Sequence, residues 1–134
     1  MPEAENESGS NAENGHAPVT LLCVGNDETL LSYRSLVLRQ AGFQVICARP
    51  EPAQPNQFAD LCRLHGPAML IACHTLSAAQ RIMMSWELRS ACPRTKLLAL
   101  TNGSLTSEEA RSYDWLLDSL DGPAALIQHI RSNI

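Results

Sequence analysis

Apolar residues fall into short runs of strand length along most of the chain, separated by polar turns. Runs that are largely or wholly apolar are typical of strands buried on both faces of a sheet. Five segments have this character: 19–24, 43–48, 69–73, 97–100 and 115–117. Between them, apolar residues recur at the spacing of amphipathic helices. The pattern therefore predicts five strands, each followed by a helix.

Residues that favour helix ends mark the boundaries of these helices. Asn26 or Asp27 can cap the first helix, and Gly42 stands where a helix end favours glycine. Ser77 and Gln80 have the spacing of a capping box at the start of the third helix. A second such box, at Thr106 and Glu109, predicts the start of a short fourth helix.

Helical spacing also predicts which side chains face the core. For the first helix these are Leu30, Tyr33, Val37 and Ala41. For the third helix they are Ala79, Ile82, Met83 and Trp86, so Trp86 is expected to pack in the core rather than bind a ligand.

The alternation of strands and helices specifies the fold class. Parallel strands need crossover connections, which helices provide, so the chain is expected to form an α/β fold of three layers, with a parallel five-stranded sheet covered on both faces. In such sheets, ligands and chemistry gather at the carboxyl ends of the strands.

Charge is unevenly distributed along the chain. The first 18 residues contain four glutamates and no Lys or Arg, and we expect residues 1–18 to form a disordered acidic tail ahead of one domain at 19–134. From residue 19 onward, ten basic residues balance ten acidic ones. Without a basic stripe, a nucleic acid partner is not expected.

The length of the apolar stretches indicates where the protein is located, and the spacing of the cysteines indicates whether they bind a metal. No apolar stretch approaches the roughly 20 residues of a membrane span, and no basic-then-apolar leader opens the chain, so a cytoplasmic protein with no membrane partner is expected. The five cysteines have no metal-ligand spacing. Cys23, Cys47 and Cys73 lie in apolar runs and are expected to be small buried hydrophobic residues.

From residue 19 to 134 the sequence resembles the receiver domain of two-component response regulators. The resemblance lies in the strand and helix order, in Gln-Ala-Gly-Phe-Gln-Val at 40–45 and in Asp-Gly-Pro-Ala-Ala-Leu at 121–126. It implies the flavodoxin-like (βα)5 fold with strand order 2-1-3-4-5.

Receivers transfer a phosphoryl group to an aspartate at the end of the third strand. This chemistry requires that carboxylate, a divalent cation held by acidic residues after the first strand, and a lysine that neutralises the phosphoryl charge. The resemblance aligns the acidic pair with Gly25 and Asn26 (Asp27 follows), the phosphate-accepting aspartate with Cys73, the lysine with Asp118 and the hydroxyl residue with Thr101. Phosphorylation is therefore not expected.

The segment from Thr101 to Trp115 is shorter than receivers usually have, so a shortened fourth helix is expected. Trp115 falls at the position of the aromatic residue that switches rotamer in receivers. Because the fourth helix belongs to the family's usual partner face, the shortening puts the ordinary docking mode in doubt.

The sequence gives weaker indications of three other kinds of site. Cys73 and His74 could pair as nucleophile and base, but neighbours in a strand point to opposite faces. Asp27, Glu28 and Asp118 could meet around a cation, but without the usual acidic pair no metal is expected. A nucleotide or flavin site is not expected either, because the glycine-rich fingerprints are missing.

The sequence thus favours a non-phosphorylatable, receiver-like signalling module of bacterial type. It would act through protein contact, alone or as a homodimer, and would be neither an enzyme nor a cofactor-binding protein. The alternative is a thiol-based redox sensor using Cys73. His16, His65 and His129 share no ligand spacing and are expected to be surface residues.

Overall fold

The structure, a computed structural model, describes residues 18–103 and 105–134. The predicted acidic tail, with His16, lies outside the described residues apart from Pro18.

Over the residues described, five strands alternate with five helices, as the apolar pattern predicts. In chain order the elements are β1 (Thr20–Val24), α1 (Glu28–Gln40), β2 (Gln44–Ala48), α2 (Gln57–His65), β3 (Met69–Ala72), α3 (Ala78–Ala91), β4 (Lys96–Thr101), α4 (Ser107–Ser112), β5 (Trp115–Asp118) and α5 (Gly122–Asn133). A 3-10 turn, Ser119–Asp121, joins β5 to α5. At six residues, α4 is as short as predicted.

All strand pairs are parallel, and the sheet order is β2-β1-β3-β4-β5. This order confirms the predicted (βα)5 topology. Because the strands are parallel, the carboxyl ends of all five lie at one edge of the sheet.

Alternate side chains of the inner strands β1, β3 and β4 enter two separate cores. Leu21 and Cys23 of β1 face the core covered by α1 and α5. Leu22 and Val24 face the opposite core, which α2 and α3 cover. A strand buried on both faces accounts for the unbroken apolar runs in the sequence.

The predicted helix caps are present. The Asp27 side chain accepts the Leu30 N–H at 3.1 Å and starts α1. Ser77 with Gln80, and Thr106 with Glu109, form both predicted capping boxes. Gly42 has φ +102°, a conformation that favours glycine.

The predicted core face of α1 is wrong by about one residue. The buried side chains are Leu31, Ser35 and Leu38, whereas Tyr33 is 58% exposed. Leu30 and Val37 are only half-buried. Apolar residues occupy two adjoining stripes of this helix. The spacing of these residues in the sequence does not show which of the two stripes is the more deeply buried.

The predicted core face of α3 is also wrong. Met83 and Trp86 are 66% and 61% exposed, while Met84 and Leu88 fill the core. The buried face includes Arg81, a charge that an apolar pattern assigns to solvent.

Arg81 is buried because it pairs with Glu109 of α4. Its Nε donates to Glu109 Oε2 at 2.9 Å, and its Nη1 donates to the Leu76 carbonyl oxygen at 2.6 Å. The Tyr113 hydroxyl donates to the Arg81 carbonyl oxygen at 2.8 Å. Burial raises the pKa of Glu109, but hydrogen bonds from Thr106 and Arg81 and the guanidinium charge outweigh it, so this pKa is lowered.

Within the described ranges, no helix has the length and apolar character that crossing a membrane requires.

Candidate functional site at the carboxyl edge of the sheet

The carboxyl ends of the strands bring several of the predicted site residues to one edge. Gly25 and Cys73 directly follow the paired strands β1 and β3, and the Cys73 N–H donates to the Val24 carbonyl oxygen at 2.8 Å. Thr101 ends β4 opposite Asp118, the last residue of β5.

Gly25 is in tight contact with the loop after β3. A Cβ atom at this position would lie 3.0 Å from Cys73 Cβ and 3.0 Å from Thr75 Oγ1. These distances are tighter than nine in ten real Cβ contacts, so a larger residue at this position would have to push the loop away by a few tenths of an ångström.

Asn26 is tied to the same loop by hydrogen bonds. Its N–H donates to Thr75 Oγ1 at 2.9 Å, and its Nδ2 donates to the Thr75 carbonyl oxygen at 2.9 Å and to Gln80 Oε1 at 2.8 Å. A neutral amide thus joins β1 to the start of α3. It contributes no negative charge that would hold a cation.

Two of the acids near this edge, Asp27 and Asp118, serve as caps, and Glu28 instead lies 3.6 Å from Arg49 in an exposed ion pair. Asp27 caps α1, as described above, and Asp118 Oδ1 accepts the Leu120 N–H at 2.9 Å in the 3-10 turn. Throughout the part of the chain that the structure describes, no group of three or more His, Cys, Asp or Glu side chains is arranged to hold a metal ion.

Cys73 is 1% exposed and lies beside a cation from α1. Arg34 Nη1 donates to Cys73 Sγ at 3.0 Å. Burial raises the pKa of the Cys73 thiol, and the nearby Arg34 charge only partly opposes this. The thiol is therefore neutral at pH 7.

Sequence reasoning missed Arg34. Its spacing from Leu30 and Val37 places it within the predicted apolar stripe of α1. The signal in the sequence was an arginine at the spacing of the apolar helix face. Most arginines at such positions extend their charged ends into solvent, so the spacing alone does not distinguish Arg34 from a surface residue.

The structure gives no support for a Cys73–His74 pair. The partner of Cys73 Sγ is Arg34, while the buried His74 Nδ1 has no hydrogen-bond partner among the described residues. The histidine therefore does not activate the thiol.

Two other expectations are corrected here. Cys47 is exposed rather than buried, because β2 is an edge strand with a single neighbour. His129 is half-buried rather than a surface residue, with its ring 5.4 Å from that of Trp115 in an edge-on arrangement. This contact joins α5 to β5. Lys96 Nζ lies 5.9 Å from the Trp115 ring centroid, within reach of a cation–π contact.

A cavity of about 140 Å³ opens beside this edge, between α1 and α5. Helix α1 contributes Arg34 to its wall, and β5 contributes Asp118. Most of the remaining wall is apolar: Leu30, Tyr33, Val37, Leu100, Leu117, Pro123 and Leu126.

No family model matches the sequence. No curated protein sequence is significantly similar to it.

Many solved structures nevertheless share the fold. A CheY-like receiver domain from Methylobacillus flagellatus superposes with a TM-score of 0.71 at 16% identity, covering 88% of this chain and all of that one. Chemotaxis protein CheY4 of Vibrio cholerae gives 0.72 at 17% identity, with 88% and 100% covered. The receiver domain of a Pseudomonas aeruginosa sensor histidine kinase, which has a magnesium ion in its active site cleft, gives 0.72 at 16%, with 87% and 98% covered. The chain therefore has the fold of the CheY-like receiver domains of response regulators.

Proposed function

We propose that residues 19–134 form a receiver-like signalling domain that does not accept a phosphoryl group and acts through contact with a protein partner. The observation that carries the proposal is the chemistry of the carboxyl edge. A buried neutral thiol, Cys73, follows β3, and the loop after β1 supplies a closely packed glycine and a hydrogen-bonded amide.

Charge supports the proposal. Phosphoryl transfer to a carboxylate depends on a cation and an ammonium group that stabilise the charge of the transferred group. At this edge Asp118 stands where the resemblance implies the lysine, so the local sign is reversed. The positive charge beside Cys73 is that of Arg34, which already donates to the thiol.

The proposed mode of action depends on the surface of the domain. A module without a phosphorylation site signals through its surface, and Trp86 and Met83 give that surface large exposed apolar side chains of types that recur in protein interfaces. The proposed module is bacterial and cytoplasmic, is not an enzyme, needs no cofactor, and binds neither nucleic acid nor membrane. The acidic segment 1–18 precedes it.

Incubation with acetyl phosphate and Mg²⁺, followed by intact mass measurement, tests the proposal. We expect no adduct of about 80 Da, the mass of a phosphoryl group. A phosphorylatable receiver treated in parallel serves as the positive control. An adduct that peptide mapping assigns to residues at the carboxyl edge would contradict the proposal, and adducts also formed on the urea-unfolded chain are non-specific.

Cys73→Asp is the matched variant. It restores the carboxylate but leaves Gly25, Asn26 and Asp118 unchanged, so we expect it to remain unmodified as well. Rapid phosphorylation of this variant would mean that the other positions do not limit the reaction.

The alternative proposal is a redox sensor centred on Cys73. Such a sensor needs an accessible thiol of low pKa. The burial and raised pKa of Cys73 weigh against it. Fast alkylation of Cys73 in the folded protein, well below the free-thiol pKa of about 8.5, would favour the sensor instead.

A further inference from the structure

The cavity between α1 and α5 combines an apolar interior with one cation. Leu100, Leu117 and Leu126 line its inner wall, and the Arg34 side chain is half-buried beside them. Apolar pockets with a few placed polar groups are the usual form of small-molecule sites.

Arg34 has hydrogen-bond donors that are not used by the described residues. A guanidinium carries five N–H donors, and within the described residues its hydrogen bond is the one from Nη1 to Cys73 Sγ. The ion pairs found among those residues join Arg49 to Glu28, Arg63 to Asp60, Arg81 to Glu109 and Arg89 to Asp114, and Arg34 takes part in none of them. Its charge is therefore open to an anion.

The Cys73 thiol does not neutralise that charge. Because burial raises its pKa, it faces the guanidinium as a neutral group. Asp118 also lines the cavity, but its carboxylate is solvent-exposed and accepts the Leu120 N–H at 2.9 Å. Solvent screening weakens the repulsion that such an exposed charge exerts on an anion.

The size of the cavity limits the ligand. An apolar cavity of about 150 Å³ holds one benzene ring. The volume here is about 140 Å³, so a single ring or a branched chain of similar bulk fills it. A planar carboxylate matches the fork of a guanidinium, which binds it through two parallel hydrogen bonds.

We propose that this cavity binds a small apolar monocarboxylate, with the carboxylate on Arg34 and the apolar body against the leucines of β4, β5 and α5. The cavity lies beside the receiver phosphorylation position: Asp118 belongs to both, whereas Gly25, Cys73 and Thr101 do not line the cavity. The proposal does not depend on whether the protein is phosphorylated. The acetyl phosphate experiment and the binding experiment can therefore fail separately.

Titration of the ¹⁵N-labelled full chain with benzoate and with 3-methylbutanoate tests the proposal by NMR. At least one should shift the amide signals of residues lining the cavity, with a dissociation constant in about the millimolar range. Benzamide, the neutral counterpart of benzoate, should bind about ten-fold more weakly, and benzylamine should not bind. No saturable shift with either carboxylate would overturn the proposal, and so would equal binding of benzamide or benzylamine.

Two variants separate the charge from the cavity. Arg34→Gln removes the charge and should weaken carboxylate binding about ten-fold, whereas Arg63→Gln, on the exposed face of α2, should not change it. Val37→Phe keeps Arg34 and fills the cavity, and should abolish binding. If Arg34→Gln is misfolded, Val37→Phe decides the result, because unchanged binding in that variant would place the ligand elsewhere.

Discussion

Glu109→Gln should destabilise the fold far more than an ordinary surface substitution. The Glu109 side chain is 4% exposed and that of Arg81 is 11% exposed. The amide replaces the carboxylate at nearly equal volume, so the packing is retained while the charge is lost. Arg81 then remains buried without its counter-ion.

Removing one partner of a buried ion pair costs about 3–5 kcal/mol. The glutamine oxygen can still accept a neutral hydrogen bond from Arg81, so we expect a loss near the lower end, about 3 kcal/mol. Natural domains are stable by only about 5–15 kcal/mol, so this is a large fraction of the total. With a urea m-value of about 2 kcal/mol/M, the unfolding midpoint should fall by about 1.5 M.

Urea unfolding followed by circular dichroism measures this loss. Asp60→Asn is the matched control, because it removes an ion pair whose side chains are 61% and 72% exposed and should change stability by no more than about 0.5 kcal/mol. The double variant Arg81→Met/Glu109→Gln should recover part of the loss, since it removes the unpaired charge. A Glu109→Gln effect as small as that of Asp60→Asn would refute the reasoning.

Lowering the pH should reduce the contribution that the Arg81–Glu109 ion pair makes to stability. The pKa of Glu109 in the folded protein lies below its ordinary value of 4.5. Above pH 4.5 the carboxylate is ionised in both states and the stabilisation is complete. As the pH falls below that value, Glu109 is protonated first in the unfolded chain, so the free energy of unfolding decreases. The decrease is complete once the pH has also fallen below the lower pKa of Glu109 in the folded protein. The stability difference between wild type and Glu109→Gln should therefore shrink on acidification, and a constant difference would contradict the assignment.

Further tests concern the packing of the candidate site. Gly25→Ala should destabilise the protein by about 1–3 kcal/mol, because its Cβ would meet Cys73 and Thr75 at 3.0 Å. Gly103→Ala should have little effect in the same unfolding assay, since no atom among the described residues lies within 4 Å of the Cβ that the alanine would add. Iodoacetamide should label the exposed Cys47 in the folded protein and Cys73 only after unfolding, as peptide mass mapping would show. Early labelling of Cys73 would contradict its burial.

The fold could be predicted because its signals are local. Buried parallel strands appear as unbroken apolar runs, and the side-chain and backbone partners of a capping box lie within four residues. The boxes at Ser77 and Thr106 therefore mark the starts of α3 and α4 correctly. The short connection after β4 likewise limits α4 to six residues.

The helix faces could not be predicted because they depend on distant partners. Arg81 is neutralised by Glu109, 28 residues away, and it lies with Met84 and Leu88 on the buried face, whereas Met83 and Trp86 are exposed. Arg34 reaches Cys73 across 39 residues of sequence. Neither contact leaves a periodic pattern, so a sequence pattern alone assigns such charges to the surface.

Binding of beryllofluoride with Mg²⁺, followed by amide NMR, tests the central claim most directly. Beryllofluoride mimics a phosphoryl group on an aspartate and requires both the carboxylate and the metal. We predict an unchanged spectrum, because the carboxyl edge presents Gly25, Asn26 and the thiol of Cys73. Saturable shifts at Cys73, Thr101 and the loop after β1 would contradict the account.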